Sequence, residues 1–394
     1  MHTYWFLDLN VSCSYVISQC LFYNINNFKA IALCSSYYEP HSLFICSLQD
    51  GDVDHDTNNS KKQLIIRHQL SGQHDRRITS FDWSLESQNQ VSPNHNGSND
   101  GKIVTLGEDC RIFVWTYHAK NEEECNEMTT KSISPWNATQ VLLQQSICLT
   151  PLDCSWDILG EKFAVGMGGN HRTASIEICS FDNGSWSSRE IGRRKIKSSV
   201  LCLGWRPNFS TEESSKMIAC GGCDCYCRIF IVNDADCQIN NGFGFGEQCA
   251  EFDTEGKGWV ISLDWSQSGK YLAFSSRKSC VFIVDCSGLH QSKETSNSWL
   301  QKLVPLKVDM SQYSPMRNIL FLNDTTLVTG GYNGEITTIE LYCKDGATCE
   351  HELLHTNNIQ SSIISLSTIE LQQSEKLCVS GSEGYFDVQK IISK

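Results

Sequence analysis

The apolar pattern predicts an all-β chain closed into a ring of seven four-stranded blades, a β-propeller, and three observations carry that prediction. Strand-length apolar runs recur along the whole sequence, separated by Asn, Ser and Gly, at the spacing of about 8 to 12 residues expected of an all-β fold. One unit, His74 to Trp115, is complete enough to act as a template for the others. No stretch carries the 3.6-residue period of an amphipathic helix. Radial repetition also explains how 394 residues can share one axis: seven blades of about 45 residues need roughly 315. Polar inserts take up the surplus.

The template opens with His74-Asp75-Arg76-Arg77, runs into the alternating strand Ile78 to Trp83, and re-enters at Lys102 to Leu106. The turn Gly107-Glu108-Asp109-Cys110 leads into Arg111 to Trp115, which makes a β-hairpin. Leu64 to His68 supplies an outer strand ahead of it. Four residue types stand at offsets that let them hydrogen-bond in a chain: Asp109 in the turn, His74 before the first strand, Thr105 on the second and Trp115 on the third. Each would satisfy a polar group that burial otherwise leaves without a partner. The step of six from Asp109 to Trp115 recurs from Asp224 to Phe230, Lys278 to Val284, Asn333 to Ile339 and Glu383 to Gln389. Its first position is mostly polar, as a turn demands, and its second mostly apolar, as a strand end demands.

Taken in order, the blades are expected near residues 11–62, 64–135, 140–190, 191–250, 251–300, 301–350 and 351–394, as a single domain. In the first unit the bursts are Val11 to Cys13, Phe28 to Cys34 and Ser42 to Cys46. The next copies carry Trp156, Trp205 and Trp265 at the place of Trp83. Polar inserts fall near 50–62, 86–101, 117–135, 210–216 and 286–300. Ring closure needs a strand from the other end of the chain, and Thr3 to Leu9 is the segment expected to complete the last blade.

Composition narrows function. A formal charge of −13 argues against nucleic-acid binding as the main task, because phosphate contact needs a basic face. The 21 cysteines follow no disulfide spacing, which points to a reducing compartment where Cys behaves as a small hydrophobe. The N-terminus lacks the basic region and apolar core of a signal peptide, and no run approaches the ~18 apolar residues of a membrane span. An intracellular protein without membrane insertion is expected. No Gly-x-Ser-x-Gly elbow, His-Glu-x-x-His helix or Walker loop is read in the chain, so neither an enzyme nor a cofactor is expected.

Several strings are more specific than a generic WD-repeat signature. Glu161 to Gly166 followed by Ser175 to Phe181 with Trp186, Arg193 to Val200 leading to Trp205-Arg206-Pro207-Asn208, Cys220 to Phe230, Phe245-Gly246-Glu247 and Gly258-Trp259-Val260 together resemble the WD-repeat subunit of the actin-related protein 2/3 complex. The likeness is concentrated between His74 and Asp285. It implies a seven-bladed WD-repeat propeller acting as a non-enzymatic subunit in the nucleation of branched actin filaments, located in the cytoplasm with the actin cytoskeleton. The partners it implies are the actin-related proteins, the small helical subunits and the acidic tails of nucleation-promoting factors, with contact to the filament itself as a further role. The family carries a long insert with a helix before its last blade, whereas Tyr342 to Gln360 here is short and polar. A WD-repeat adaptor in another intracellular complex is the competing reading.

The candidate partner-binding residues are Arg193, Arg194, Lys195 and Lys197, a basic loop in an acidic chain, because clustered like charges attract an acidic peptide and speed its arrival. Arg76 and Arg77 would extend the patch on the same rim. Trp259, preceded by Gly256 and Gly258, is a candidate interface anchor, or else a blade-core residue. Cys220, Cys223, Cys225 and Cys227 invite a zinc reading, but the last three alternate along a turn and strand, and a structural site needs four converging ligands. No metal site is expected.

Overall fold

The computed structural model describes residues 4–5, 17–25, 28–35, 41–53, 60–84, 101–117, 136–143, 149–169, 173–207, 216–232, 244–290, 303–310, 312–344, 348–358, 362–371, 374–381 and 386–390. Their strands pair into seven four-stranded antiparallel sheets. Blade 1 consists of Ile17–Ile25, Phe28–Ser35, Leu43–Val53 and Ser60–Leu70. Blade 2 consists of Ile78–Ser84, Lys102–Gly107, Ile112–Tyr117 and Trp136–Val141. Blade 3 follows with Pro151–Trp156, Lys162–Met167, Ile176–Asp182 and Ser185–Ile191. Blade 4 is Val200–Trp205, Met217–Gly222, Tyr226–Ile231 and Gln248–Asp253. Blade 5 is Val260–Trp265, Tyr271–Ser276, Cys280–Asp285 and Leu306–Asp309. Blade 6 is Met316–Phe321, Thr326–Gly331, Glu335–Lys344 and Thr348–Asn358.

Blade 7 takes Ile363–Leu371, Ser374–Gly381 and Phe386–Lys390 from the end of the chain and Tyr4–Trp5 from its beginning. Tyr4 lies opposite Asp387 and Trp5 opposite Phe386. The first strand of each blade is the inner one, packed against the inner strands of its neighbours around the ring.

The blade limits sit later than the repeat spacing places them. Leu64 to His68 belongs to Ser60–Leu70, the outer strand of blade 1, and not to the template sheet, whose fourth strand is Trp136–Val141. The physical reason is that a sequence repeat and a sheet are offset by one strand: the outer strand of one blade is immediately followed by the inner strand of the next. Val11 to Cys13 falls outside the described residues, and the inner strand of blade 1 is Ile17–Ile25. The inserts near 86–101, 117–135 and 210–216 fall almost wholly outside them. The segment near 50–62 continues both outer strands of blade 1 until Val53 faces Ser60. Tyr342 to Gln360, expected as a short polar loop, supplies described residues to the paired strands Glu335–Lys344 and Thr348–Asn358, in which Lys344 faces Thr348. Beyond the insert near 286–300, the described part of which is one 3-10 turn, Ser287–His290, the described chain is strand and turn.

All seven inner strands break register at their second position, leaving Ser18, Thr79, Leu152, Leu201, Ile261, Arg317 and Ile364 as extra residues. A bulge of this kind bends a strand and increases its twist, which lets a short strand curve along the channel wall.

The apolar core lies between blades. Six clusters of buried side chains each draw on two successive sheets, from Leu43 and Phe81 at the seam of blades 1 and 2 to Val328 and Ile363 at the seam of blades 6 and 7. Polar groups stitch the same seams. Trp156 Nε1 donates to Asp82 O at 3.2 Å, Trp205 Nε1 to Ser155 O at 2.8 Å and Trp265 Nε1 to Gly204 O at 3.0 Å. Asp82, Asp153 and Asp264 accept the backbone N–H of Trp156, Leu203 and Phe321 at 2.6, 2.9 and 2.7 Å.

Between blades 4 and 5, where Gly204 stands at the position of Asp82 and Asp264, close packing accompanies the Trp265 indole bond. A Cβ on Gly221 would lie 2.2 Å from Val260 Cγ1, and one on Gly204 would lie 2.7 Å from Leu263 Cδ1. Gly221→Ala is therefore expected to destabilise the chain by about 1–3 kcal/mol in urea unfolding. Gly244→Ala, where a Cβ meets nothing within 4 Å, should leave the midpoint unchanged.

Candidate functional site

Antiparallel order puts the loop that leads into each inner strand and the turn between the second and third strands on one face of the ring. The pairing is visible as one repeated backbone bond. Glu108 N donates to Arg77 O, Gly168 N to Thr150 O, Cys223 N to Ser199 O, Arg277 N to Trp259 O and Tyr332 N to Pro315 O, at 2.7–3.1 Å. Arg76, Arg77, Arg193, Arg194, Lys195, Lys197 and Trp259 all lie on these lead-in loops and are exposed. They share a face, but blade 3 stands between the two basic loops.

In blade 2 the four polar residues of the template form one hydrogen-bonded chain. Trp115 Nε1 donates to Thr105 Oγ1 at 2.9 Å, Thr105 Oγ1 meets His74 Nε2 at 2.9 Å, and His74 Nδ1 lies 3.2 Å from Asp109 Oδ1. Asp109 also accepts the N–H of Asp75 at 2.9 Å and of Arg111 at 3.1 Å. Read as donors and acceptors, the chain runs Trp N–H to Thr O–H to neutral His, whose Nδ1–H donates to the carboxylate. A protonated imidazole would leave the Thr105 hydroxyl without its acceptor. Burial lowers the proton affinity of His74 and outweighs the pull of Asp109 in the other direction. Burial alone would raise the Asp109 carboxyl, but the two backbone N–H groups and His74 hold it below its ordinary range.

Blade 4 has the same turn geometry written in different residues. Asp224 accepts Lys197 N at 3.1 Å and Tyr226 N at 3.4 Å, as Asp109 accepts Asp75 N and Arg111 N. By that correspondence Ile196 stands where His74 stands, Cys220 where Thr105 does and Phe230 where Trp115 does, and all three belong to one buried apolar cluster. Asp224 takes its counter-charge from Arg228, at 2.7 Å, which also binds Glu251 at 2.7 Å. Arg228 faces Cys220 across the hairpin as Phe113 faces Thr105.

The basic loop is pinned on both sides. Lys195 N and Ile196 N donate back to Gly192 O, Ala174 N of blade 3 donates to Ile196 O, and Gly169 N donates to Ser199 Oγ. Arg193 Nη1 lies 3.3 Å from Glu190. Trp259 is 41% exposed, with the Arg277 guanidinium 4.8 Å above its ring. Blade 6 repeats the arrangement with Arg317 over Tyr332 at 5.7 Å, a pair that sequence reasoning missed because exposure cannot be read from residue type.

Cys220 and Cys227 are buried on opposite sides of blade 4, and Cys225 occupies the left-handed turn position at φ 69°. Among the described residues no group of three or more His, Cys, Asp or Glu is arranged to hold a metal. One further string needs correction. His351-Glu352-Leu353-Leu354-His355 is the His-Glu-x-x-His pattern, which puts two imidazoles on one face only of a helix. It lies on the strand Thr348–Asn358, where four residues span roughly 13 Å.

The fold and its intact blade 2 chain define a seven-bladed WD-repeat propeller. Among solved structures it is similar to Sqt1 from Chaetomium thermophilum, with a TM-score of 0.60 at 11% identity over 92% of this chain and 80% of that one. A second structure of that protein, bound to the N-terminus of ribosomal protein L10, gives 0.59 at 12% identity over 92% and 81%. No family model matches the chain.

Among curated proteins the chain is similar to subunit 1 of the actin-related protein 2/3 complex from several species. It is 28% identical over 289 residues to subunit 1A-B of Xenopus laevis, covering 71% of this chain and 63% of that one. It is 27% identical over 269 residues to subunit 1 of Schizosaccharomyces pombe, covering 66% and 58%. With subunit 1 of Saccharomyces cerevisiae it shares 25% over 271 residues, covering 66% and 56%. The chain thus spans less than two thirds of the length of the relatives it matches.

Thr105→Val should cost about 1–3 kcal/mol in urea unfolding, because it strands the Trp115 N–H and His74 Nε2 together. The pH dependence of the same chain has a definite sign. His74 binds protons less tightly folded than unfolded, so its contribution is full above 6.5, its ordinary value, and is lost as pH falls below it. Asp153, Glu177 and Asp264, each raised to about 7 by desolvation, act oppositely. Their contribution is present at low pH and lost as pH rises towards 7. The His74 part is isolated by the stability difference between wild type and His74→Phe, which is expected to shrink from pH 7.5 to pH 5. A difference that grows on acidification would contradict the neutral-imidazole chain.

Proposed function

We propose that the chain is a non-catalytic scaffold and regulatory subunit of an actin-related protein 2/3 type complex, supporting nucleation of branched actin filaments in the cytoplasm. Its partners in this reading are the actin-related proteins and small helical subunits of that complex. The lead-in face of blades 2, 4 and 5 receives the acidic tails of nucleation-promoting factors, with Arg193, Arg194, Lys195 and Lys197 as the main attraction, Arg76 and Arg77 as an extension and Trp259 as an apolar anchor.

The observation that carries the reading is the agreement of relatives from a frog, a plant and two yeasts on one subunit. The pinned basic loop supports the acidic partner, because clustered charges held by a fixed backbone need no ordering when an anion arrives. A second reading, an adaptor in another intracellular complex, is favoured by the paired strands Glu335–Lys344 and Thr348–Asn358, which stand where the resemblance implies a helical insert.

Affinity purification of the tagged chain from its own cells, with mass spectrometry of what accompanies it, separates the two. Recovery of actin-related proteins and small helical subunits is expected, and their consistent absence would leave the adaptor reading. The triple variant Arg193→Glu, Arg194→Glu, Lys195→Glu should weaken binding of an acidic tail peptide by about tenfold or more at low ionic strength. The difference should narrow as added salt screens the loop, while the urea midpoint stays near that of wild type.

A further inference from the structure

We infer that Arg228 is the positioning residue of the basic loop: by holding Asp224 in place it fixes the backbone from which Lys197 and its neighbours meet an acidic peptide. The inference rests on the acidic-ligand reading and adds a residue to it that no charge pattern on the surface would pick out.

Arg228 is 3% exposed and cannot itself touch a ligand. Its two bonds go to Asp224, whose other oxygen contacts are backbone N–H groups, and to Glu251. Asp224 Oδ2 is shared between the Arg228 guanidinium at 2.7 Å and Lys197 N at 3.1 Å, so the buried cation and the surface loop hang on one oxygen atom.

In blade 2 the equivalent carboxylate is steadied by His74, a side chain that belongs to the lead-in loop itself. In blade 4 that loop position is Ile196, which is buried against the apolar seam and offers no polar grip. The carboxylate must therefore be held from the third strand, and Arg228 is the residue that does it. The replacement also changes the chemistry of the hold. A neutral imidazole offers Asp109 one N–H and no charge, whereas a guanidinium brings a positive charge that it keeps at any accessible pH. Removing Arg228 alone would leave the 7% exposed Asp224 carboxylate without its cation, and the turn with Lys197 would then have reason to open towards water.

The test uses the full chain, a ten-residue Asp/Glu-rich peptide as probe and four variants. Arg228→Met removes the hold. Arg228→Met with Asp224→Asn removes the pair without leaving a buried charge, which guards against simple unfolding. Arg228→Lys restores a cation. Both variants lacking Arg228 are expected to bind the peptide about tenfold more weakly and to show faster exchange of the Lys197 amide, with Arg228→Lys recovering much of each. The slope of log Kd against log salt should stay that of wild type, since no contacting charge is lost, whereas Lys197→Ala should reduce it. Wild-type affinity in a folded double variant overturns the inference while leaving the acidic-ligand reading standing. A wild-type chain that does not bind the probe overturns that reading and this inference together.

Discussion

The inner strand of each blade is the edge of its sheet, and an edge strand has backbone groups with no further strand to pair them. In this ring they are paired by side chains and backbone of the adjoining blade. The indole of Trp156, Trp205 or Trp265 reaches back to a carbonyl of the preceding inner strand, and Asp82, Asp153 or Asp264 reaches forward to an N–H of the following one. Each bond is worth only about 1 kcal/mol net, but a buried group left without its partner costs about 1–3 kcal/mol. The ring is thus held less by what the bonds add than by what their loss would leave behind. Between blades 4 and 5, where Gly204 and Cys202 stand in place of the carboxylates, the Trp265 indole bond is joined by closer approach, and Gly221 sits too near Val260 to carry a side chain.

How much of this could be read from the residues follows from what kind of signal each feature leaves. Strand alternation is a two-residue period and survives divergence, so the seven units and the N-terminal strand of the last blade were visible. The chain of His74, Thr105, Asp109 and Trp115 was visible because four distinct residue types had to coincide at fixed offsets. The inner-strand bulges were not, although they occur in every blade: Ser18, Thr79, Leu152, Arg317 and Ile364 share no chemistry, because a bulge is a backbone event that many side chains tolerate. The outer strand Leu64 to His68 was assigned one blade too late for a related reason: only pairing shows which sheet a strand at a blade boundary joins. Exposure of Tyr332 and burial of Arg228 are likewise properties of neighbours, not of residue names.

Blade 4 shows why residue-type matching also understates what is retained. Its turn carboxylate keeps the same backbone partners as that of blade 2, yet Ile196, Cys220 and Phe230 replace every other member of the polar chain. The exchange is concerted, as physical chemistry requires. A buried Thr or Trp N–H without the imidazole would be stranded, so loss of the His favours loss of the others, and the apolar trio closes the gap by packing. What cannot be made apolar is Asp224, because it still caps the turn and the lead-in loop. A carboxylate that stays must have a counter-charge, and Arg228 supplies it from inside the sheet.

That placement bears on how a chain with a formal charge of −13 can present a cationic loop. Carboxylates close to the loop are already engaged: Asp224 and Glu251 by Arg228, and Glu190 by Arg193. Arg228 shares one positive charge between Asp224 and the 40% exposed Glu251 and so offsets part of their charge, while the side chains of Arg194, Lys195 and Lys197 remain exposed. Had Asp224 kept a neutral histidine partner, as Asp109 does, a full negative charge would sit directly beneath Lys197 and cancel part of its field. Replacing the imidazole with a guanidinium thus does two things at one atom. It keeps the turn closed, and it offsets part of the negative charge that would weaken the loop's attraction for an acidic partner.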